Sequence, residues 1–228
     1  MHPLTRSEQD YLKALYALAP RGEPVATSRL AERLTVSAPS VTNMLAKLAA
    51  ARLVAHAPRA GAKLTGRGRR QAVAIVRRHR ILEAFLVRVL KLDWAEVHAD
   101  AEVLEHHISD RVLAAIDRVM GHPREDPHGH PIPDRAGRLR PRALSPLTAL
   151  PPGARATVRE IHDRDPDGRH LAHWKRAGLV PGARIVMRDV RPLEDVYEIE
   201  VGRRRLVTGS EGLEGVLVQK RGRGSRAH

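Results

Sequence analysis

The chain has 228 residues, a formal net charge of +14 and no cysteine. The absence of cysteine excludes disulfide frameworks, thiolate zinc sites and cysteine nucleophiles, so that a metal site must use histidine and carboxylate ligands. The positive charge favours an acidic polymer as partner, nucleic acid before an anionic membrane, although a general preference for arginine would produce the same charge.

No run approaches the roughly 20 apolar residues of a membrane span, and no hydrophobic leader follows Met1. We therefore expect a cytoplasmic protein without a membrane partner.

The first third of the chain predicts three helices. Thr5 and Glu8 form a capping box that opens the first helix. Thr27 is expected to cap a second, short helix, and Ser37 to cap a third in which Pro39 lies in the first turn. Two short helices joined by a tight turn are typical of a helix-turn-helix, although three-helix bundles also occur in proteins that do not bind DNA.

A two-stranded wing is predicted after the third helix. Residues 52–56 alternate like a strand, 58–61 form a turn and 62–65 return. This order predicts a winged helix, whose small polar residues reach base edges in the major groove while basic wing residues meet phosphates. The predicted DNA-binding residues are Thr27, Ser37, Pro39, Ser40, Thr42, Asn43, Lys47, Arg59 and Lys63.

Two further helices, predicted over residues 68–90 and 93–107, each carry imidazole and carboxylate groups on one face. Such donors suit a divalent first-row metal ion. Any one of them alone is more often a solvated or structurally satisfied side chain, but two such faces behind a DNA-binding pattern favour a metal site. The candidate ligands are His79 and Glu83 on the first of these helices, and His98, Glu102, Glu105 and His106 on the second.

The remaining chain predicts one more helix and a small β-domain. A helix is expected over 108–120, a structural turn over the Pro-, His- and Gly-rich stretch 121–133, and a linker over 135–152. Five short strand-like runs between 154 and 219 indicate a small barrel. The expected boundaries are a winged helix at 1–70, a helical domain at 71–140, a linker at 141–153, an SH3-like domain at 154–220 and a basic tail at 221–228.

Several stretches together resemble the diphtheria-toxin-repressor family of metal-dependent transcriptional regulators. The matching stretches are Tyr11-Leu12, Ile81 between His79 and Glu83, Val97-His98, Glu105-His106, residues 64–68 after the wing, and residues 127–133. Residues 177–182 resemble a turn of the SH3-like domain that ends longer members. The resemblance implies a mainly α protein with an N-terminal winged helix-turn-helix, a helical dimerisation domain and a small C-terminal SH3-like β-barrel.

The resemblance also implies two metal sites. The family's primary site falls on Asp10, Glu102, Glu105 and His106, its ancillary site falls on His79, Glu83 and His98, and a looser match adds Asp167 and His170 from the barrel. The iron-responsive branch has Met and Cys where this chain has Asp10 and Glu102, whereas the manganese-responsive branch has carboxylates there. Carboxylates favour Mn²⁺ over softer ions. However, the manganese branch has Glu at the position of Lys13, and the ancillary trio resembles the iron branch.

The sequence therefore predicts a homodimeric repressor that binds double-stranded operator DNA, with Mn²⁺ as corepressor and Fe²⁺ as the alternative. We expect neither enzymatic activity nor a small organic substrate. Two alternatives stay open. A metallohydrolase built on the His/Glu cluster would need an open coordination position and a substrate cleft. A winged-helix sensor of an organic ligand would bind DNA independently of metal.

Overall fold

A computed structural model describes residues 4–57, 60–140, 142–162 and 169–220, and its helices and strands fall into two units. The first unit comprises Met1–His79, Val103–Leu113 and Pro133–Leu139. The second comprises Arg80–Glu102, Ala114–Ile132 and Arg140–His228. Within the described residues, no helix is long and apolar enough to cross a membrane.

The first unit begins with the predicted three helices and wing. Its elements are α1 (Arg6–Leu18), α2 (Thr27–Leu34), α3 (Ala38–Ala50), β1 (Val54–Ala57), β2 (Gly61–Leu64) and the first part of α4 (Gly66–Arg88). The capping box is confirmed, because Thr5 Oγ1 accepts from the backbone of Glu8 while the Glu8 carboxylate accepts from the Thr5 N–H at 2.8 Å. Ser37 caps α3 as predicted, with Pro39 in the first turn. Thr27 is not a cap: it is the first residue of α2, whose N-cap is Ala26.

Apolar faces of these helices form the core of the first unit. Leu12, Leu30, Leu45 and Leu48 are fully buried there. The wing strands pair antiparallel, with Val54 opposite Leu64, as the alternating pattern predicts. The wing therefore continues directly from the helix-turn-helix.

The helices that follow are shorter than the sequence pattern indicates. The stretch 93–107 was predicted as one helix, but α5 covers only Val97–Leu104. Asp93 Oδ1 accepts the N–H of Ala95 at 3.0 Å and forms a turn before the helix. After it, Glu105, His106 and His107 form a turn. The helix predicted over 108–120 is α6 (Asp110–Val119).

The second unit contains a six-stranded antiparallel sheet with the strand order β3-β8-β4-β5-β6-β7. The five predicted strands are present, and α7 precedes β5. The elements are β3 (Ser145–Pro146), β4 (Arg155–Ile161), α7 (Arg169–Ala177), β5 (Arg184–Arg191), β6 (Val196–Val201), β7 (Arg204–Thr208) and β8 (Val216–Lys220).

Two features of this unit differ from the sequence prediction. Residues 145–150 were assigned to a linker, but β3 pairs with β8, and Leu147 and Leu150 are buried in the core of the sheet. Helix α7 was not predicted, although Leu171 and Trp174 are buried at helical spacing on one face. Burial of these four apolar side chains explains both differences. Its favourable free energy orders the two segments, although the Arg- and Pro-rich composition before residue 152 is typical of a linker.

Candidate metal centre and nucleic-acid interface

One group of candidate ligands comes together entirely within the first unit. Asp10 lies on α1, and Glu105 and His106 lie in the turn after α5. One ligand atom from each lies within 4.8 Å of the others. His106 Nε2 is 3.1 Å from Asp10 Oδ1 and 3.6 Å from Glu105 Oε1. An imidazole nitrogen thus faces two carboxylates.

Backbone and side-chain contacts hold this turn in place. The carbonyl of Leu104 accepts from the N–H groups of His107 and Ile108 at 3.1 and 3.0 Å. Arg78 of α4 donates to the carbonyl of Glu105 at 3.2 Å and pairs with Asp110 at 2.6 Å. These hydrogen bonds hold the turn that carries Glu105 and His106, and Arg78 ties it to α4.

The group fits a divalent cation. Within the described part of the chain, His106 Nε2 is one of few buried side-chain nitrogens that make no hydrogen bond. It lies beside two carboxylates, one of which, that of Glu105, is fully buried. Because a buried polar atom without a hydrogen bond costs free energy, a cation ligated by His106 Nε2 would remove that cost.

Two side chains of the same unit contact the Glu105 carboxylate. Lys13 Nζ lies 2.7 Å from Oε1, and His79 Nδ1 lies 2.5 Å from Oε2. Lys13 follows Asp10 by one turn of α1, which is the only sequence signal that it would reach this group. Sequence analysis placed His79 in the ancillary set, whereas in the first unit its Nδ1 bonds a ligand of the primary set.

The second unit brings together three other predicted ligands. His98 lies between two carboxylates: its Nδ1 is 3.1 Å from Glu83 Oε1 and its Nε2 is 3.4 Å from Glu102 Oε1. Glu83 is buried, whereas His98 is about half exposed. His79 precedes Glu83 by one turn of α4, and Glu102 precedes Glu105 by three residues along the chain.

A further group, Asp126, His128 and His130, lies in the loop that was predicted to be structural. Its ligand atoms lie within 4.8 Å of one another. However, Asp126 Oδ1 accepts from the backbone N–H groups of His128 and His130, both at 2.9 Å, and Arg80 lies 3.6 Å from Oδ2. The carboxylate is thus already engaged in shaping the turn, which supports the prediction of a structural loop.

His128 is buried in this loop beside Glu83. Its Nε2 bonds the carbonyl of Trp94 at 2.8 Å, and its Nδ1 is 3.7 Å from Glu83 Oε2. Burial lowers the pKa of His128, but the carboxylates of Glu83 and Asp126 outweigh burial, so that its pKa lies above the usual value.

Two further ligands are predicted from the barrel. Asp167 lies outside the described residues. His170 lies on α7, and its ring centroid is 5.5 Å from that of Trp174. Their role as ligands stays a prediction.

The predicted DNA-binding residues lie on α2, α3 and the wing of the first unit. Exposed side chains on and before α3 are Ser37, Pro39, Ser40, Thr42, Asn43 and Lys47, and Lys63 is exposed on β2. Thr27 is half-buried, and Arg59 lies outside the described residues. Lys47 Nζ is 3.1 Å from Glu8 Oε1, so that an α1 carboxylate already pairs with it. Base or phosphate contacts of these residues stay predictions.

Sequence reasoning missed one residue of the first group. Gln9 lies next to Asp10 on α1, and its Oε1 is 3.2 Å from His106 Nδ1. It is 97 residues from His106 in sequence. No local pattern could have found this contact.

Comparison with known proteins places these features in one family. Residues 3–62 match the N-terminal DNA-binding domain of iron-dependent repressors, residues 65–134 match their metal-binding and dimerisation domain, and residues 145–220 match the FeoA domain.

Two relatives with known names match most of the chain. The iron-dependent repressor IdeR of Mycobacterium leprae is 33% identical over 230 residues, covering 96% of this chain and 100% of that protein. The diphtheria toxin repressor of Corynebacterium diphtheriae is 32% identical over 163 residues, covering 71% of this chain and 72% of that protein.

Solved structures show the same fold. A manganese-dependent transcriptional repressor in complex with manganese has a TM-score of 0.85 at 37% identity, covering 93% of this chain and 99% of that one. The crystal structure of T. acidophilum IdeR has a TM-score of 0.76 at 26% identity, covering 97% of this chain and 100% of that one. The chain belongs to the diphtheria-toxin-repressor family of iron-dependent repressors.

Proposed function

We propose that this protein is a homodimeric transcriptional repressor that binds operator DNA when a divalent metal ion, Mn²⁺ in preference to Fe²⁺, acts as corepressor. Metal-dependent repression by DNA binding follows from membership in the family. One observation carries the metal proposal: His106 Nε2 is buried without a hydrogen bond beside the carboxylates of Asp10 and Glu105.

The donor chemistry supports the choice of metal. The primary set would comprise Asp10, Glu105 and His106, with Glu102 as the proposed fourth ligand. Three carboxylates and one imidazole are harder than a set that contains sulfur, and the chain has no cysteine. The relatives carry both iron-dependent and manganese-dependent names, so that the preference for Mn²⁺ rests on the donors of this chain.

Asp10 would couple the metal to DNA binding. It lies on α1, whose apolar face packs in the same core as α2 and α3. A bound metal ion supplies positive charge that draws carboxylate and imidazole ligands together. Ligation by Asp10 would hold α1 against the turn that carries Glu105 and His106. If the DNA-binding state also holds α1 against this turn, the metal ion binds that state more tightly and therefore increases its population.

A dimer is supported by exposed apolar side chains on the helices. Val103 and Leu104 of α5 and Val112 and Val119 of α6 are exposed, Val119 to 73%. Apolar patches mark surfaces that pack against a partner, whereas single exposed apolar side chains are ordinary, so the dimer rests also on the match of residues 65–134 to a metal-binding and dimerisation domain. A symmetric dimer would place its two reading helices α3 in half-sites about one DNA turn apart.

The remaining predicted ligands would form an ancillary site. We propose His79, Glu83 and His98 for it, with Asp167 and His170 as further candidates from the C-terminal domain. His98 already contacts Glu83 in the second unit. For a regulator that binds DNA, we expect a cytoplasmic location.

The proposal is tested by fluorescence anisotropy on an operator selected from random DNA. The chelated protein is titrated with Mn²⁺ and, without oxygen, with Fe²⁺. We expect Mn²⁺ to produce tight binding and Glu102→Ala to abolish the response. The matched control is Asp100→Ala, which changes an exposed carboxylate on the same helix and should respond like the wild type.

Other results would overturn the proposal in different ways. DNA binding that ignores metal would favour the sensor of an organic ligand. Hydrolysis under Mn²⁺ without operator binding would favour the metallohydrolase. Activation by Fe²⁺ at much lower free concentration than Mn²⁺ would contradict the metal preference alone.

A further inference from the structure

Gln9 is held in one orientation by the chain that precedes it. Its side-chain Nε2 donates to the carbonyl of Leu4 at 3.0 Å. A backbone carbonyl only accepts hydrogen bonds, so the amide nitrogen of Gln9 must face Leu4. The other end of the amide, Oε1, is therefore the atom that faces His106, at 3.2 Å from its Nδ1.

This orientation determines which nitrogen of His106 carries the proton. Gln9 Oε1 has no hydrogen to donate, so His106 Nδ1 must be the donor in the contact. In the neutral imidazole the lone pair is then on Nε2. His106 Nε2 is the buried atom without a hydrogen bond, 3.1 Å from Asp10 Oδ1 and 3.6 Å from Glu105 Oε1.

We propose that Gln9 is a positioning residue for the metal centre: by accepting from His106 Nδ1, it keeps the imidazole in the tautomer and ring orientation that present Nε2 to the ion. The inference rests on the proposed function, because it takes His106 as a ligand. A hydrogen bond on the far nitrogen of a ligating histidine orients the ring and raises its basicity. Here the acceptor of that hydrogen bond is the amide oxygen of Gln9, whereas a carboxylate is the more common acceptor.

The position of Gln9 explains how α1 holds both sides of one ring. Gln9 and Asp10 are adjacent in sequence, so their side chains leave the helix about 100° apart. One reaches His106 Nδ1 and the other reaches Nε2. A rotation of α1 would disturb the ligand Asp10 and the orientation of the ligand His106 together.

The test compares metal binding in two variants of the full-length protein. Gln9→Met keeps the length of the side chain but has no oxygen acceptor, whereas Gln9→Glu keeps an acceptor. The dissociation constant for Mn²⁺ is measured from the electron paramagnetic resonance signal of the free ion. We expect Gln9→Met to bind Mn²⁺ about 10- to 100-fold more weakly and Gln9→Glu to bind at least as tightly as the wild type. Ser7→Ala, at an exposed position of the same helix, is the control.

A second readout does not involve metal. Nitrogen-15 spectra of the imidazole rings of the metal-free protein, recorded over a series of pH values, report which ring nitrogens are protonated. His106→Gln assigns the signal. We expect Nδ1 to carry a proton in the wild type and in Gln9→Glu, also where Asp10 keeps a second proton on Nε2, and we expect Nδ1 to be unprotonated in Gln9→Met. This measurement on the wild type decides the point even if Gln9→Met fails to fold.

The outcomes separate this inference from the proposed function. If the wild type does not bind Mn²⁺, or if His106→Gln binds Mn²⁺ as tightly as the wild type, the proposed metal centre is wrong. If the wild type binds Mn²⁺ and Gln9→Met binds it equally well, the centre stands and the role of Gln9 is overturned. Equal weakening in Gln9→Met and Gln9→Glu, or an Nδ1 without a proton in the wild type, would also overturn it.

Discussion

Lys13 provides a direct test of how this metal centre is tuned. Its ammonium lies 2.7 Å from Glu105 Oε1, and 18% of the Lys13 side chain is exposed while none of Glu105 is. A metal ion about 2.2 Å from the same carboxylate would lie within about 5 Å of the ammonium. Coulomb's law gives a repulsion of about 7 kcal/mol over that distance at a dielectric constant near 20, and about 2 kcal/mol in water.

We expect the lower value to apply, because Lys13 reaches solvent and its side chain can turn aside. Lys13→Gln should therefore tighten Mn²⁺ binding at least about tenfold, since about 1.4 kcal/mol corresponds to a factor of ten. The metal-free protein should at the same time lose about 2 kcal/mol of stability, because Glu105 keeps His79 but loses its buried cationic partner.

The assay is a Mn²⁺ titration of chelated protein, followed by the free-ion resonance signal, with thermal unfolding of the metal-free form. Lys13→Arg keeps the charge and should bind Mn²⁺ like the wild type. Lys175→Gln removes a lysine that pairs with Asp93 in the second unit and should leave the affinity unchanged. Weaker binding in Lys13→Gln would refute the reasoning, because Lys13 would then hold Glu105 in its ligating position instead of competing with the metal.

Three further changes have defined outcomes. Asp10→Ala should leave a folded dimer whose operator binding no longer responds to Mn²⁺; an unchanged metal-dependent anisotropy curve would contradict the coupling through α1. The Thr5 N–H and the Lys47 ammonium hold the pKa of Glu8 below its usual value, so Glu8 stabilises the fold above its unfolded pKa of about 4.3 and loses this effect as the pH falls through its folded pKa. Glu8→Gln should thus lower Tm at pH 7 and flatten its decline between about pH 5 and 3, and parallel melting curves would argue against this. A Cβ on Gly68 would lie 1.9 Å from the carbonyl oxygen of Leu53, so Gly68→Ala should lower the free energy of unfolding by about 3 kcal/mol or more, measured by urea denaturation against Gly66→Ala.

Local patterns predicted the first unit well because their interactions are short-range. The capping box joins Thr5 to Glu8, and the Ser37 cap joins residues three apart. The wing strands pair residues that lie four to ten positions apart in the chain, from Ala57 opposite Gly61 to Val54 opposite Leu64. Each of these contacts lies within a few residues, so that side-chain type and spacing specify it.

The ends of the later helices and the extra strand of the sheet were harder to predict from the sequence. The stretch 93–107 has a helical pattern throughout, yet Asp93 Oδ1 accepts the N–H of Ala95 in a turn before α5, and residues 105–107 form a turn after it. The segment that contains Leu147 looks like a linker by composition, but the sheet buries it. In both cases a specific contact decides the local structure against the structure that the composition or periodicity of the stretch predicts.

The sequence by itself determined the fold class, the winged helix and the residue types of the proposed metal centre, because periodicity, caps and the family's motifs each depend on a short stretch of chain. Only the tertiary structure decided the partners of each ligand. Lys13 meets Glu105 across 92 residues and Gln9 meets His106 across 97. Contacts of that separation depend on how helices pack, since packing brings together side chains that no spacing along the chain relates.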